Sequence, residues 1–175
     1  MRDIAPRSWY DPRLEVRPSP IHGVGMFTRR PVAEGETVAV VGGELVSGDE
    51  FRRRVSRLVK YNAIQVDDDL HLLGHPDELE SAAINHSCDS NLWMTDEVTL
   101  SARRDVDGGE EVTIDYALFT TDEAWSLEQN CNCGADACRG SATGRDWAQH
   151  DVQERYRGHF SPFLNRRIAR LAAAR

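Results

Sequence analysis

No stretch of this chain stays apolar for the ~20 residues that a helix needs to cross a bilayer. The opening residues, Met1-Arg2-Asp3-Ile4-Ala5-Pro6, lack the apolar segment of a secretory leader. These two absences predict a soluble, cytoplasmic protein without a membrane partner. Lysine is nearly missing: Lys60 stands alone beside twenty arginines. Acidic residues outnumber basic ones, and the formal net charge is −8 at pH 7. A surface of that sign is poorly suited to displacing counterions from phosphates, which argues against direct nucleic-acid binding. It suits a basic partner, although an acidic surface also serves solubility alone. There is no internal repeat and no low-complexity segment. At 175 residues the chain fits one domain with a modest tail, large enough for a core without disulfides.

Cysteine is scarce as well, but its placement is informative. Cys88 ends Asn85-His86-Ser87-Cys88, and the other three lie within eight residues, as Cys131-Asn132-Cys133 and then Cys138-Arg139-Gly140. Four independent thiols are one reading and two disulfides another. The tight C-x-C-x4-C spacing argues against the first, and the missing leader against the second. One Zn²⁺ held by the thiolates of Cys88, Cys131, Cys133 and Cys138 accounts for all four. Such a site is closed, so the expected metal is structural, stapling a loop too poor in apolar residues to fold unaided onto the body of the protein.

The remaining pattern is mostly β. Residues 1–13 show no periodicity and read as an arm laid over the surface. From Leu14 to Val46, apolar residues recur between Gly and Pro punctuation, as short strands require. Ser47-Gly48-Asp49-Glu50 offers N-cap chemistry, and Phe51, Val55, Leu58 and Val59 fall at helical spacing, which predicts a helix over 49–60. Ile64 to Asp67 and Leu70 to Leu72 alternate around the acidic run Asp67-Asp68-Asp69. That run reads as a hairpin turn, since it lacks the Gly and terminal Glu of a calcium loop. Asp77 to Ile84 suits a short helix, and strands are predicted over 92–102 and 112–116, separated by the Asp107-Gly108-Gly109 turn. From Trp147 onward, Val152, Tyr156, Phe160, Phe163, Leu164, Ile168 and Leu171 predict two helical pieces broken at Pro162. A stripe of this kind covers a site, joins two copies or caps a core, the last being the commonest.

Several segments in order resemble the SET domain with its post-SET zinc loop, a family of S-adenosylmethionine-dependent protein-lysine methyltransferases. They are Ile21-His22-Gly23-Val24-Gly25-Met26-Phe27, the Asn-His-Ser-Cys-x-x-Asn segment from Asn85, Glu110-Glu111-Val112-Thr113-Ile114-Asp115-Tyr116, and the C-x-C-x4-C-R-G tail. The resemblance covers about residues 14 to 141. It implies small curved sheets with a knot-like crossing at the Asn-His motif and few short helices. The arm would span 1–13, the SET domain 14–118, the zinc loop 119–141 and a helical tail 142–175. It implies cofactor contacts from His22, Gly23, Val24, Gly25, Asn85 and His86, and catalysis by Tyr116, whose hydroxyl would orient the substrate amine. A phenol with a pKa near ~10 is mostly protonated at neutral pH, which makes Tyr116 a poor general base.

Ile114 stands where many relatives carry Phe or Tyr, so an aliphatic residue would border the substrate channel and leave room for more than one methyl group. Asn62 stands near a position that is Tyr in many relatives, with Tyr61 expected to face the other way. The expected partner is a lysine-bearing protein or peptide, and the lone Lys60 fits either avoidance of self-methylation or a coding preference. The alternative from another class is a zinc-stabilised SET-like module that binds a peptide without catalysis. The retained Asn85, His86 and Tyr116 favour the enzyme, because a binder has no need of a cofactor pocket.

Overall fold

Short apolar runs between turn residues do fold as strands. The computed structural model describes residues 4–58, 60–78, 84–127 and 129–174. Trp9–Tyr10 (β1), Leu14–Pro18 (β2), Val24–Thr28 (β3), Thr37–Val40 (β4) and Glu44–Ser47 (β5) precede the helix Gly48–Val55 (α1). Ala63–Asp67 (β6), Leu70–Leu73 (β7), Asn85–His86 (β8), Leu92–Met94 (β9), Thr99–Ala102 (β10) and Glu111–Ile114 (β11) follow. Two helices, His150–Arg155 (α2) and Pro162–Ala173 (α3), complete the regular elements.

The larger sheet has the order β1-β4-β10-β9-β11-β3-β2, and a separate sheet pairs β5-β7-β6. Strand β11 is the hub. It runs antiparallel to β3, and parallel to both β8 and β9, with Thr113 opposite Asn85 and Ile114 opposite both His86 and Leu92. The chain from Asn85 to Leu92 therefore lies along β11 at both of its ends, which is the crossing expected at the Asn-His motif. Parallel neighbours leave a strand buried on both faces, and Val112, Thr113 and Ile114 are all buried.

Apolar burial follows this layout. Val32, Val38, Leu92, Val106, Val112 and Leu118 have no exposed surface, and Tyr156 and Leu164 from the C-terminal segment join the same cluster. The helical stripe thus packs into the main core, and Pro162 occupies the first turn of α3, where its missing N–H costs nothing. A smaller cluster forms around Phe51, Val46 and Leu73, with Tyr61 packed edge-on against Phe51 at 5.7 Å.

Several expectations shift in detail. The cap of α1 is as predicted, Ser47 Oγ accepting from Glu50 N–H at 3.3 Å, which contributes about 1 kcal/mol. The helix nevertheless ends at Val55 rather than at 60, because Leu58 is exposed and gives the last turn nothing to pack on; Val59 lies outside the described residues. The arm contributes β1, whose pairing comes from the edge of β4 and not from any side-chain period. Strand 92–102 is a hairpin interrupted at Thr95 to Val98, where Asp96 accepts from the N–H groups of Val98 and Thr99. Of the helix expected over 77–84, Pro76–Glu78 form a 3₁₀ turn and residues 79–83 lie outside the described residues.

Candidate active site

Strand β11 stops at Ile114, two residues before the predicted end. Asp115 takes extended backbone and caps a 3₁₀ turn, Tyr116–Leu118, its side chain accepting from Ala117 N–H at 3.0 Å. Tyr116 is therefore the first residue of a turn rather than the last of a strand. Its ring sits among His86, Phe119 and Trp125, at centroid distances of 5.2, 5.6 and 5.8 Å. Burial pushes its hydroxyl up to about 12, so the phenol stays protonated at neutral pH.

The bend at residues 20–23 and the start of β3 lie against β8, and Asn85 is the tie. Its Nδ2 donates to the carbonyls of His22 and Val24 at 3.2 and 3.0 Å, and to Glu111 Oε1 at 2.7 Å. Ser19 Oγ donates to the same carboxylate. Gly25 lies directly over this group: a Cβ there would fall 2.0 Å from Glu111 Oε1. Gly23 has φ +51 with open space beside it. One glycine is thus required by crowding and the other by backbone conformation.

His86 joins three parts of the site. Its Nδ1 accepts the backbone N–H of Tyr116 at 3.2 Å. An amide N–H can only donate, so in the neutral ring the proton resides on Nε2, which lies 3.3 Å from Cys88 Sγ. Burial lowers the His86 pKa and keeps the ring neutral. The same sulfur accepts the backbone N–H of Arg139 at 3.3 Å.

The cysteine loop is closed at its base by backbone bonds from Leu127 N–H to Ala142 O and from Cys131 N–H to Gly140 O, both 2.9 Å. The sulfurs of Cys88, Cys131, Cys133 and Cys138 all lie within 4.8 Å of one another. Four thiolates around Zn²⁺ at ~2.3 Å would stand about 3.8 Å apart, and the Cys88–Cys131 separation is 3.9 Å. Burial raises the Cys88 thiol; at Cys133 burial is outweighed by hydrogen bonds from backbone amides and flanking thiols, which bring it down to about 7. A sulfur that accepts two N–H donors, in a cluster of this spacing, has the chemistry of a metal thiolate, and the residues fit the ion.

A cleft of about 200 Å³ opens between these parts, lined by Ile21, His22, Asn85, His86 and Tyr116 and, from the cysteine loop, by Leu127, Gln129, Asn130, Cys131 and Asn132. Hydrogen-bonding groups and apolar side chains make up the described lining, with no carboxylate among them. Such a wall fits a ligand that carries both apolar and polar groups. Of the residues singled out in the sequence, His22, Asn85, His86, Tyr116 and Cys131 meet here. Val24 is 41% exposed and outside the lining, its carbonyl taken by Asn85. Ile114 is buried in the main core and also outside the lining. Gln129, which hydrogen-bonds His22, and Leu127 escape sequence reasoning, since neither belongs to a spaced motif. Arg139 and Asp115 lie within the sequence motifs but carry no role that the motifs assign.

Comparison with known proteins places this geometry. The sequence model of the SET domain matches residues 23–117. Histone-lysine N-methyltransferase ash1 of Drosophila melanogaster is 29% identical over 70% of this chain, and Histone-lysine N-methyltransferase ATX2 of Arabidopsis thaliana 30% identical over 75%. The chain spans only 6% and 13% of the length of those two relatives. The methyltransferase domain of human Histone-lysine N-methyltransferase SETMAR shares the fold, with a TM-score of 0.58 and 22% identity over 75% of this chain and 57% of that one. The match spans more than half of the sequence and covers the Gly turn, the Asn85-His86 strand and Tyr116 alike, and on it the chain belongs to the SET domain family.

Proposed function

We propose that this chain methylates lysine side chains of a protein substrate, with S-adenosylmethionine as donor. The observation that carries the reading is the convergence of His22, Asn85, His86, Tyr116 and the cysteine loop on one cleft. When bound there, S-adenosylmethionine supplies an electrophilic methyl group on a sulfonium, which leaves as a neutral thioether. The residues of the chain have to position and desolvate, since in-line displacement gains most from alignment. The Gly23 to Gly25 turn and the Asn85-His86 strand would hold the cofactor, Val24 through the shape of the turn alone. The Tyr116 oxygen keeps lone pairs free to accept from the incoming amine, while its own O–H is engaged with a backbone carbonyl. Desolvation in the cleft and the adjacent sulfonium charge would disfavour the charged ammonium, lowering the lysine pKa so that the amine sheds its proton to solvent before attack. Ile114, being buried in the core, would shape the lysine channel only by supporting the turn at Tyr116.

The four cysteines would bind one structural zinc, making the loop a post-SET element. With every position filled by thiolate, the ion does not act on substrate. Thiolates of this kind need a reducing setting, which supports the cytoplasmic reading. The net charge of −8 supports a substrate rich in basic residues around its target lysine.

The test is incubation with labelled S-adenosylmethionine and a cell lysate, followed by mass spectrometry of modified lysines, beside calorimetry with the cofactor alone. Methylated lysines and cofactor binding are expected. Binding without transfer would reduce the chain to a recognition module, and absence of both would overturn the proposal.

A further inference from the structure

Arg139 leaves the cysteine loop one residue after Cys138 and turns inward. Its guanidinium forks onto Asp115, with Nη1 to Oδ2 and Nη2 to Oδ1 both at 2.8 Å, while Nε reaches Asp146 Oδ2 at 2.8 Å. The three side chains are 10%, 0% and 7% exposed. Asp146 is fixed in turn by Thr143 Oγ1 at 2.6 Å and Gln149 Nε2 at 3.2 Å. Asp115 Oδ1 also caps the turn that Tyr116 opens, accepting from Ala117 N–H, and it lies 3.7 Å from His86 Nδ1. One oxygen thus serves both the arginine and the tyrosine turn.

We propose that Arg139 is a positioning residue, which transmits the order of the cysteine loop to Tyr116 through Asp115. The proposal rests on the reading of Tyr116 as the residue that orients the substrate amine. The main chain of Arg139 is tied to the cysteine cluster by its N–H on Cys88 Sγ, and its side chain is tied to the cap. When the loop is ordered, Asp115 is held between the Arg139 guanidinium and Ala117 N–H in a site closed to solvent. When the loop is loose or the guanidinium is removed, a wholly buried carboxylate loses its partner, and a buried charge left alone is strongly unfavourable. Asp115 then has to rotate toward solvent, and that change withdraws the acceptor from Ala117 N–H. The turn frees Tyr116 even where the rest of the core stands. Lysine does not substitute, because an ammonium cannot meet two carboxylate oxygens and Asp146 in one plane.

The experiment uses the full chain labelled with 3-fluorotyrosine and read by ¹⁹F NMR. Tyr10, Tyr61 and Tyr156 serve as internal controls, and Tyr116→Phe identifies the resonance of interest. Arg139→Gln is expected to shift or broaden the Tyr116 resonance while leaving Tyr61 in place, with the loss of transfer falling on kcat more than on KM. Removal of zinc from the unsubstituted protein is expected to move the same resonance, and to move it less in Arg139→Gln. Arg139→Lys, which keeps charge and most of the volume, is expected to behave like the Gln variant. An unmoved Tyr116 resonance in Arg139→Gln would overturn the proposal. So would full recovery by lysine, and so would simultaneous collapse of all four resonances in both variants, which would make Arg139 a support of the whole fold. If the unsubstituted protein transfers no methyl group, the functional reading falls, while the resonance comparison still decides the positioning role.

Discussion

The phenol of Tyr116 donates its O–H to the backbone carbonyl of Ile84 at 3.0 Å, so the proposed orienting group is hydrogen-bonded to the residue immediately before Asn85. That bond fixes the ring relative to the strand that would carry the cofactor. Tyr116→Phe keeps the ring and removes the tether. Its stability cost should be that of one hydrogen bond, about 1 kcal/mol. Turnover should fall by ~10²–10³, the usual loss when an oriented polar group is removed from a reacting centre, with little change in cofactor affinity. Single-turnover kinetics and calorimetry separate the two. Near-normal turnover would exclude the hydroxyl from the reaction, and an unfolded variant would make Tyr116 a core residue.

The cysteine cluster makes a separate prediction. Purified protein should contain about one zinc per chain, and Cys133→Ser should lose it, since three thiolates leave a closed site incomplete. Without the ion the segment between Cys131 and Cys138 is held by little beyond the backbone bonds at the base of the loop and the Arg139 ion pairs beside it, so proteolysis there should accelerate while the β core resists. Elemental analysis beside limited digestion checks this. Metal-free protein with an equally protected loop would refute the assignment.

Gly25 tests how the cofactor turn is built. A methyl group there meets Glu111 Oε1, and that carboxylate is not free to swing aside, being held by Ser19 and by Asn85 Nδ2. Gly25→Ala should therefore cost about 1–3 kcal/mol, the range for overpacking, and weaken cofactor binding by displacing Asn85. Gly23→Ala faces open space and has only its positive φ to contend with, about 1–2 kcal/mol, so its cofactor affinity should hold. Urea denaturation and calorimetry on both variants supply the comparison. Equal losses of affinity would mean that the crowding at Gly25 is irrelevant to the site.

Much of this architecture is legible in the sequence because its signals are local. The cysteine spacing, the Ser47 cap and the apolar stripe from Val152 to Leu164 each depend on neighbours a few residues apart, and each holds in the structure. The end of β11 is misplaced by pattern alone because alternation continues through Ile114 to Tyr116, whereas Asp115 diverts the chain by capping its own backbone. The Arg139–Asp115–Asp146 group is hidden for a different reason. Its members are separated by 24 and 7 residues, and a charged residue in a sequence reads as surface until a fold buries it. Gln129 and Leu127 enter the cleft only through closure of the cysteine loop, and neither belongs to the spacing that predicts that closure.

His71 supplies the last prediction, on pH. It sits on β7 with its ring stacked on Phe51 at 4.2 Å, and its buried Nδ1 has no hydrogen-bond partner among the described residues. Burial lowers its pKa, helped by the charge of Arg52 and opposed by Asp122 and Asp69. A histidine with a folded pKa below its unfolded value of ~6.5 stabilises the fold fully above that pH, because the unfolded chain takes up the proton first. That contribution is lost as pH falls through the folded value. Urea midpoints of the unsubstituted protein should therefore drop below about pH 6.5. His71→Phe preserves a ring against Phe51 and removes the titration, so its midpoints should fall less steeply over the same interval. Some slope should remain, because burial lowers His86 and His159 as well. Parallel curves for the two proteins would show that His71 gains its proton without cost, by turning out to solvent rather than by charging inside the small sheet.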